Sequence, residues 1–178
     1  MESKASGRVK ISMPSAEGEE AILAILTGGD FFGELSILDG KPRSATAIAM
    51  EATTTYTIDR LDLLKALRAE PEMAMEILGT LSERLRRTNL LVEEAFFLDV
   101  RSRLARQLLD WAQTHGVETD QGVRIDVRIT QHDLASAIGA TRESVNRHLG
   151  QLQDRGLISI AGHHIHLLDL DGLRRLTP

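Results

Sequence analysis

Apolar and polar positions change their period several times along the 178 residues, and each change predicts an element. Val9, Ile11 and Met13 alternate with polar neighbours, Ala21 to Leu26 is a short apolar run, and residues 45–58 are rich in Ala, Ile and Thr. Residues 7–60 therefore read as short β-strands. Glu17-Gly18-Glu19, Gly28-Gly29-Asp30 and Asp39-Gly40-Lys41-Pro42 supply the Gly, Asp and Pro that tight turns require, whereas the first six residues carry no pattern. Leu61 to Leu67 predicts a short helical piece. Pro71, with Glu72 in the first turn, opens a long helix that runs to about Asp99. Within it Ala74, Leu78, Leu81, Leu85, Thr88, Val92 and Ala95 recur at alternating spacings of four and three, the signature of a helix–helix seam. Pairing of two copies along this stripe is one reading; packing of the helix on its own domain is the other.

The period changes again beyond Asp99. Leu104, Leu108, Leu109 and Ala112 place an amphipathic helix over Asp99 to His115, stopped by Gly116. Val123, Ile125, Val127 and Ile129 then alternate with Arg124, Asp126 and Arg128, which predicts one half-exposed strand. Thr130 stands as an N-cap before Gln131, His132 and Asp133, and Leu134, Ala135 and Ile138 form an apolar face ending at Gly139. Thr141 caps a second helix in which Val145, Leu149 and Leu152 face inward, while Arg142, Glu143, Asn146 and Arg147 share the opposite face. Two helices joined by a tight Gly-containing turn predict a helix-turn-helix, and the hairpin expected over residues 157–168 would be its wing. The outward face has the chemistry of major-groove reading, because Arg forks match guanine O6 and N7 and a carboxylate accepts from cytosine N4. Thr130 and Thr141, at helix N-termini, suit phosphate contacts. A solvated charged helix face is the plainer alternative.

Composition narrows the field. At 42% hydrophobic residues the chain can bury a core, as one large domain or two small ones. It has no cysteine, which removes disulfides, thiolate metal sites and cysteine nucleophiles. No run of about 18 apolar residues and no leader pattern is visible, so the expectation is a cytoplasmic protein without a membrane partner. The net charge of -5 is unusual for a nucleic-acid binder, yet all of it falls on residues 1–98. From Asp99 onward ten Arg balance ten Asp or Glu, and all six His lie there.

Three segments carry a resemblance to a known family: Phe97-Leu98-Asp99-Val100, the run from Gly139 to Arg147, and Leu157-Ile158 with its wing. Together they resemble the cyclic AMP receptor protein family of bacterial transcription regulators, and the likeness covers nearly the whole chain. It implies an α+β fold: a partial antiparallel β-roll of cyclic-nucleotide-binding type over residues 1–70, a dimerisation helix over 71–98, and a winged helix-turn-helix over 99–178. It further implies a homodimer on double-stranded DNA with a two-fold symmetric operator, RNA polymerase as a partner, and no enzymatic activity. Base reading falls on Arg142, Glu143 and Arg147, with Asn146 as an additional reader. Phe31-Phe32-Gly33-Glu34-Leu35-Ser36-Ile37 followed by Pro42-Arg43-Ser44-Ala45 looks like a phosphate-binding cassette, so Gly33, Glu34, Leu35, Arg43 and Ser44 are expected to hold a cyclic nucleotide, cyclic AMP first. Gly33 permits close backbone approach, Glu34 can accept from a ribose hydroxyl, and Arg43 can fork onto phosphate oxygens. Thr88 and Asn89 fall where the family's central helices touch the purine, one from each subunit.

The chain departs from the family's pattern in two places. The likeness begins late, so roughly the first third of the effector domain is expected to be missing, and Ala24 stands where a hydroxyl residue often helps hold the base. A regulator of the same family that needs no effector, or another one, is therefore a second expectation. A more distant one is a metal sensor built on His163, His164 and His166, since clustered imidazoles bind zinc or nickel.

Overall fold

The alternating segment around Val9 becomes the middle strand of a sheet. In a computed structural model, which describes residues 2–14 and 20–177, β2 (Val9–Pro14) lies between β3 (Glu20–Leu26) and β5 (Thr46–Ala49), both antiparallel to it. The turn predicted at Glu17-Gly18-Glu19 lies outside the described residues. Simple alternation fails halfway along β2: the register slips between Ile11 and Ser12 and leaves Leu23 of β3 with no residue opposite. Ser12 is buried and Met13 exposed, the reverse of the hydrophobic reading, because a bulge re-aims side chains without changing the sequence pattern.

The opening residues, expected to be patternless, form β1 (Glu2–Ser6), the centre of a second antiparallel sheet between β4 (Phe31–Phe32) and β6 (Thr54–Thr57). Backbone pairing on both sides stabilises this strand, and pairing of that kind requires no hydrophobic alternation. Between β4 and β5 the short helix α1 (Glu34–Asp39) is bracketed by Gly33 and Gly40, both left-handed, at φ 77° and 73°. α2 (Arg60–Ala69) starts where the Asp59 carboxylate accepts from the Asp62 N–H at 2.9 Å. Its Leu63 joins Ile37 of α1 and Ile77 of α3 (Pro71–Phe97) in a small core, on which Phe31, Ile58, Leu67, Met73 and Leu81 pack. These elements, up to Leu90, make one compact unit.

Residues from Leu91 onward make a second unit. α4 (Val100–His115) begins after Asp99, whose carboxylate accepts from the Ser102 N–H at 2.7 Å. Leu104, Ala105, Leu108 and Trp111 are buried along one face. The strand expected over residues 123–129 is shorter than its pattern. β8 (Gly122–Ile125) pairs with β7 (Gly116–Thr119), a strand the sequence reading missed, and regular pairing ends at Ile125. Val127 and Ile129 remain buried, so the alternation records burial and not ladder hydrogen bonds. Then follow α5 (Gln131–Ile138), α6 (Arg142–Asp154), the hairpin of β9 (Ile158–Ala161) and β10 (His164–Leu167), and a short α7 (Leu170–Arg174) that was also unforeseen. The sheet order is β7-β8-β10-β9. Mixed helix and antiparallel sheet is thus the fold class in both units.

Candidate ligand cavity and nucleic-acid interface

A cavity of about 370 Å³ opens in the first unit, and six of the seven sequence-predicted ligand residues, Gly33, Glu34, Leu35, Arg43, Ser44 and Thr88, line it. That volume is in the range of small-molecule sites. Leu23, displaced by the bulge, lines it as well, as does Ala24, whose methyl offers no hydrogen bond. The left-handed φ at Gly33 bends the chain into α1, and the space beside its Cα is taken by Arg43: a Cβ there would overlap the guanidinium. Arg43 Nη1 donates to the Gly33 carbonyl at 2.6 Å. The dihedral favours glycine, and any side chain placed there would have to displace the guanidinium.

Glu34 is buried at 3% exposure, which an unpaired carboxylate would not tolerate. Its partner comes from fifty residues away. Arg84 Nη1 donates to Glu34 Oε1 at 2.8 Å, Nη2 donates to the Phe31 carbonyl, and the guanidinium lies 4.9 Å from the centre of the Phe31 ring. Arg84 and Arg87 both line the cavity, and the sequence reading missed both. The available signal was the helical interval: Arg84, Arg87 and Thr88 sit three and four apart on α3, hence on one face. Thr88 Oγ1 donates to the Arg84 carbonyl at 3.0 Å, which leaves its lone pairs for a donor in the cavity. Asn89, the other member of a pair expected to act one from each subunit, lies on a different face of α3. It is exposed and does not line the cavity, because one residue along a helix is a rotation of about 100°. Along the predicted seam Leu78, Leu85 and Val92 stand 55%, 62% and 52% exposed.

In the second unit, local chemistry builds the helix-turn-helix. Thr130 Oγ1 accepts from the Asp133 N–H at 3.1 Å and the Asp133 carboxylate accepts from the Thr130 N–H at 3.0 Å, a reciprocal box at the start of α5. Thr130→Ala is expected to lower the stability of this unit by about 1 kcal/mol, read as a shifted urea midpoint at unchanged slope. Gly139, at φ 60°, ends α5. Thr141 Oγ1 then accepts from the Ser144 N–H at 3.2 Å and starts α6. Val145, Leu149 and Leu152 are buried, and Arg142, Glu143, Asn146 and Arg147 are all exposed on the other side, as their spacing requires. The first two turns of α6 therefore present two guanidinium forks, one carboxylate and one amide to solvent.

On the wing, His163 Nε2 lies 3.0 Å from Arg128 Nη2. Since a guanidinium only donates, the imidazole nitrogen is the acceptor in that contact. His164 Nδ1 lies 3.5 Å from the Ile125 carbonyl. Among the described residues no group of three His, Cys, Asp or Glu is placed to hold a metal ion.

Comparison with known proteins gives both units relatives. Residues 5–70 match the cyclic nucleotide-binding domain family and residues 102–176 the Crp-like helix-turn-helix domain family. A CRP-like cAMP-activated global transcriptional regulator of Mycobacterium tuberculosis is 36% identical over 170 residues, covering 96% of this chain and 76% of its own. Among solved structures, a CRP-family transcriptional regulator from Thermus thermophilus aligns with a TM-score of 0.81 at 27% identity, over 98% of this chain and 86% of that one. The c-di-GMP responsive global regulator CLP of Xanthomonas campestris aligns with 0.83 at 26%, over 93% and 83%.

Proposed function

Because the chain belongs to the Crp-like family of DNA-binding transcription regulators, we propose that it works as a homodimer whose two α6 helices read a two-fold symmetric operator under the control of a cyclic nucleotide, cyclic AMP first. On this reading residues 1–70 are the effector domain, 71–98 the dimerisation helix and 99–178 the DNA-binding domain. The observation that carries it is the Glu34–Arg84 pair. A carboxylate buried in a cavity wall and held by its own guanidinium is a preorganised acceptor for a ribose hydroxyl, set one residue after the glycine where a phosphate can approach the backbone. Arg43 would exchange the Gly33 carbonyl for phosphate oxygens, a stronger charge-assisted partner. Thr88 would accept from the exocyclic amine of adenine, and Asn89, turned away from its own cavity, would reach that of the second copy. Pairing along Leu78, Leu85 and Val92 supplies that copy and covers the exposed apolar stripe.

Arg142, Glu143, Asn146 and Arg147 then read base edges, and Thr130 and Thr141 hold phosphates. No helix among the described residues is long and apolar enough to cross a membrane. A cytoplasmic regulator that meets RNA polymerase on DNA is the reading the Crp-like helix-turn-helix supports. Control requires that the ligand bind one arrangement of the dimer better than the other, since equal affinity shifts nothing. Titrating a symmetric operator with and without cyclic AMP is expected to give affinities that differ by about 5–150-fold at physiological salt. Superimposable curves would remove the switch and leave the DNA reader. Ala24 on the cavity wall favours one second reading, a family member that answers a different ligand, and a panel of cyclic nucleotides and dinucleotides in the same assay separates the two.

A further inference from the structure

α3 ends at Phe97 and α4 begins at Val100, so the helical path breaks over Leu98 and Asp99 alone. Two local contacts shape that break. The Leu98 N–H still donates to the Glu94 carbonyl at 3.0 Å, and the Asp99 carboxylate caps α4. Hydrogen bonding to the Ser102 backbone N–H, then to its hydroxyl, holds that carboxyl below the usual range, so it stays ionised as a cap. A third contact spans the break. Glu94 Oε1 accepts from Arg106 Nη1 at 3.3 Å, and the two side chains are 15% and 34% exposed.

Their spacing gives the pair its meaning. Twelve residues apart on one straight helix, Glu94 and Arg106 would sit about 18 Å from each other. They meet because the chain folds back at Leu98 and Asp99, so the contact exists at one hinge angle and is lost at others. α4 is packed on both α5 and α6 through its buried face, so a rotation of α4 carries the recognition helix with it. We propose that Glu94 and Arg106 are positioning residues for operator recognition: their ion pair fixes the direction in which α4 leaves α3, and thereby the spacing of the two α6 helices. This rests on the dimeric reading above, because spacing has meaning only for two readers.

The test uses the full chain with Glu94→Gln, with Arg106→Gln, and with the exchanged pair Glu94→Arg plus Arg106→Glu. Amide hydrogen exchange needs neither DNA nor ligand. Exchange at residues 98–103 is expected to quicken about tenfold in each single variant, with α5 and α6 unchanged, and to return toward the parent rate in the exchanged pair. In parallel, each protein is titrated with duplexes whose half-sites are moved apart or together by one base pair. The parent is expected to prefer one separation by tenfold or more, the single variants to lose most of that preference while keeping their affinity for one half-site, and the exchanged pair to recover it. Unchanged exchange at the break in both single variants overturns the ion pair as a hinge constraint. Faster exchange in variants that keep the parent's spacing preference overturns the positioning role. A parent blind to spacing overturns the dimeric reading on which that role rests, whatever the exchange rates.

Discussion

Replacing Arg84 by alanine is expected to lower the stability of the first unit by about 3–5 kcal/mol and to abolish cyclic-nucleotide binding, the largest effect of any single change in the cavity. The cause is the group left behind. Glu34 would remain in a wall that exposes 3% of it, charged and without its guanidinium, while the Phe31 carbonyl loses a donor. Arg84 is itself one-third exposed, so water would reach part of the vacated space and the loss falls toward the lower end of that range. Replacing both partners, Glu34→Leu with Arg84→Leu, separates folding from function: stability should return close to the parent's, whereas binding stays absent because no acceptor faces the ribose. Urea unfolding of the three proteins, with calorimetric titration of cyclic AMP, reads both quantities. A single Arg84→Ala variant with parental stability and affinity would show that the ion pair is ornamental, and the proposed ligand orientation would fall with it.

The second large effect lies on α6. Arg142→Ala is expected to lose about 1–3 kcal/mol of discrimination at one base step, a factor of roughly five to a hundred and fifty between the preferred base and its substitutes. Loss of a phosphate contact behaves differently, weakening all sequences alike and lowering the dependence on salt. Arg142 and Thr141 are neighbours at the helix start, so they provide an internal contrast. Thr141 is bound to its own backbone as a cap, and changing it should cost affinity on every duplex. Measuring parent and variant on an operator set with each position substituted in turn distinguishes the outcomes: a uniform penalty across the set would assign Arg142 to the phosphates.

The helix-turn-helix was legible because its determinants are close in sequence. A hydroxyl at Thr130 and a carboxylate at Asp133 make one N-terminus, Gly139 makes the turn, Thr141 makes the next start, and the 3.6-residue period assigns the faces. No partner farther than a few residues is needed. Gly33, Glu34 and Arg43, by contrast, are a weak signal in themselves; the family likeness singled them out. What holds Glu34 comes from Arg84, and no local pattern links residues fifty positions apart. Thr88 and Asn89 are expected at the purine by likeness, one from each subunit, and a single chain shows Thr88 alone on its cavity wall. β1 and β7 were missed for a common reason: their backbone pairing does not depend on hydrophobic alternation, so Glu2–Ser6 and Gly116–Thr119 carry none. The opposite error arose at Val127 and Ile129, where alternation persists past the end of the ladder because a loop buries those side chains.

The stripe of leucines that α3 leaves in water has a consequence for how such a protein behaves in a cell. Where apolar surface is covered only by association, mass action joins the folding equilibrium, and each halving of protomer abundance favours the dissociated, less protected form. Copy number would then act as a second input beside the effector. A cell holding few copies would keep the switch silent by dilution, and one that raised expression would arm it before any signal arrived.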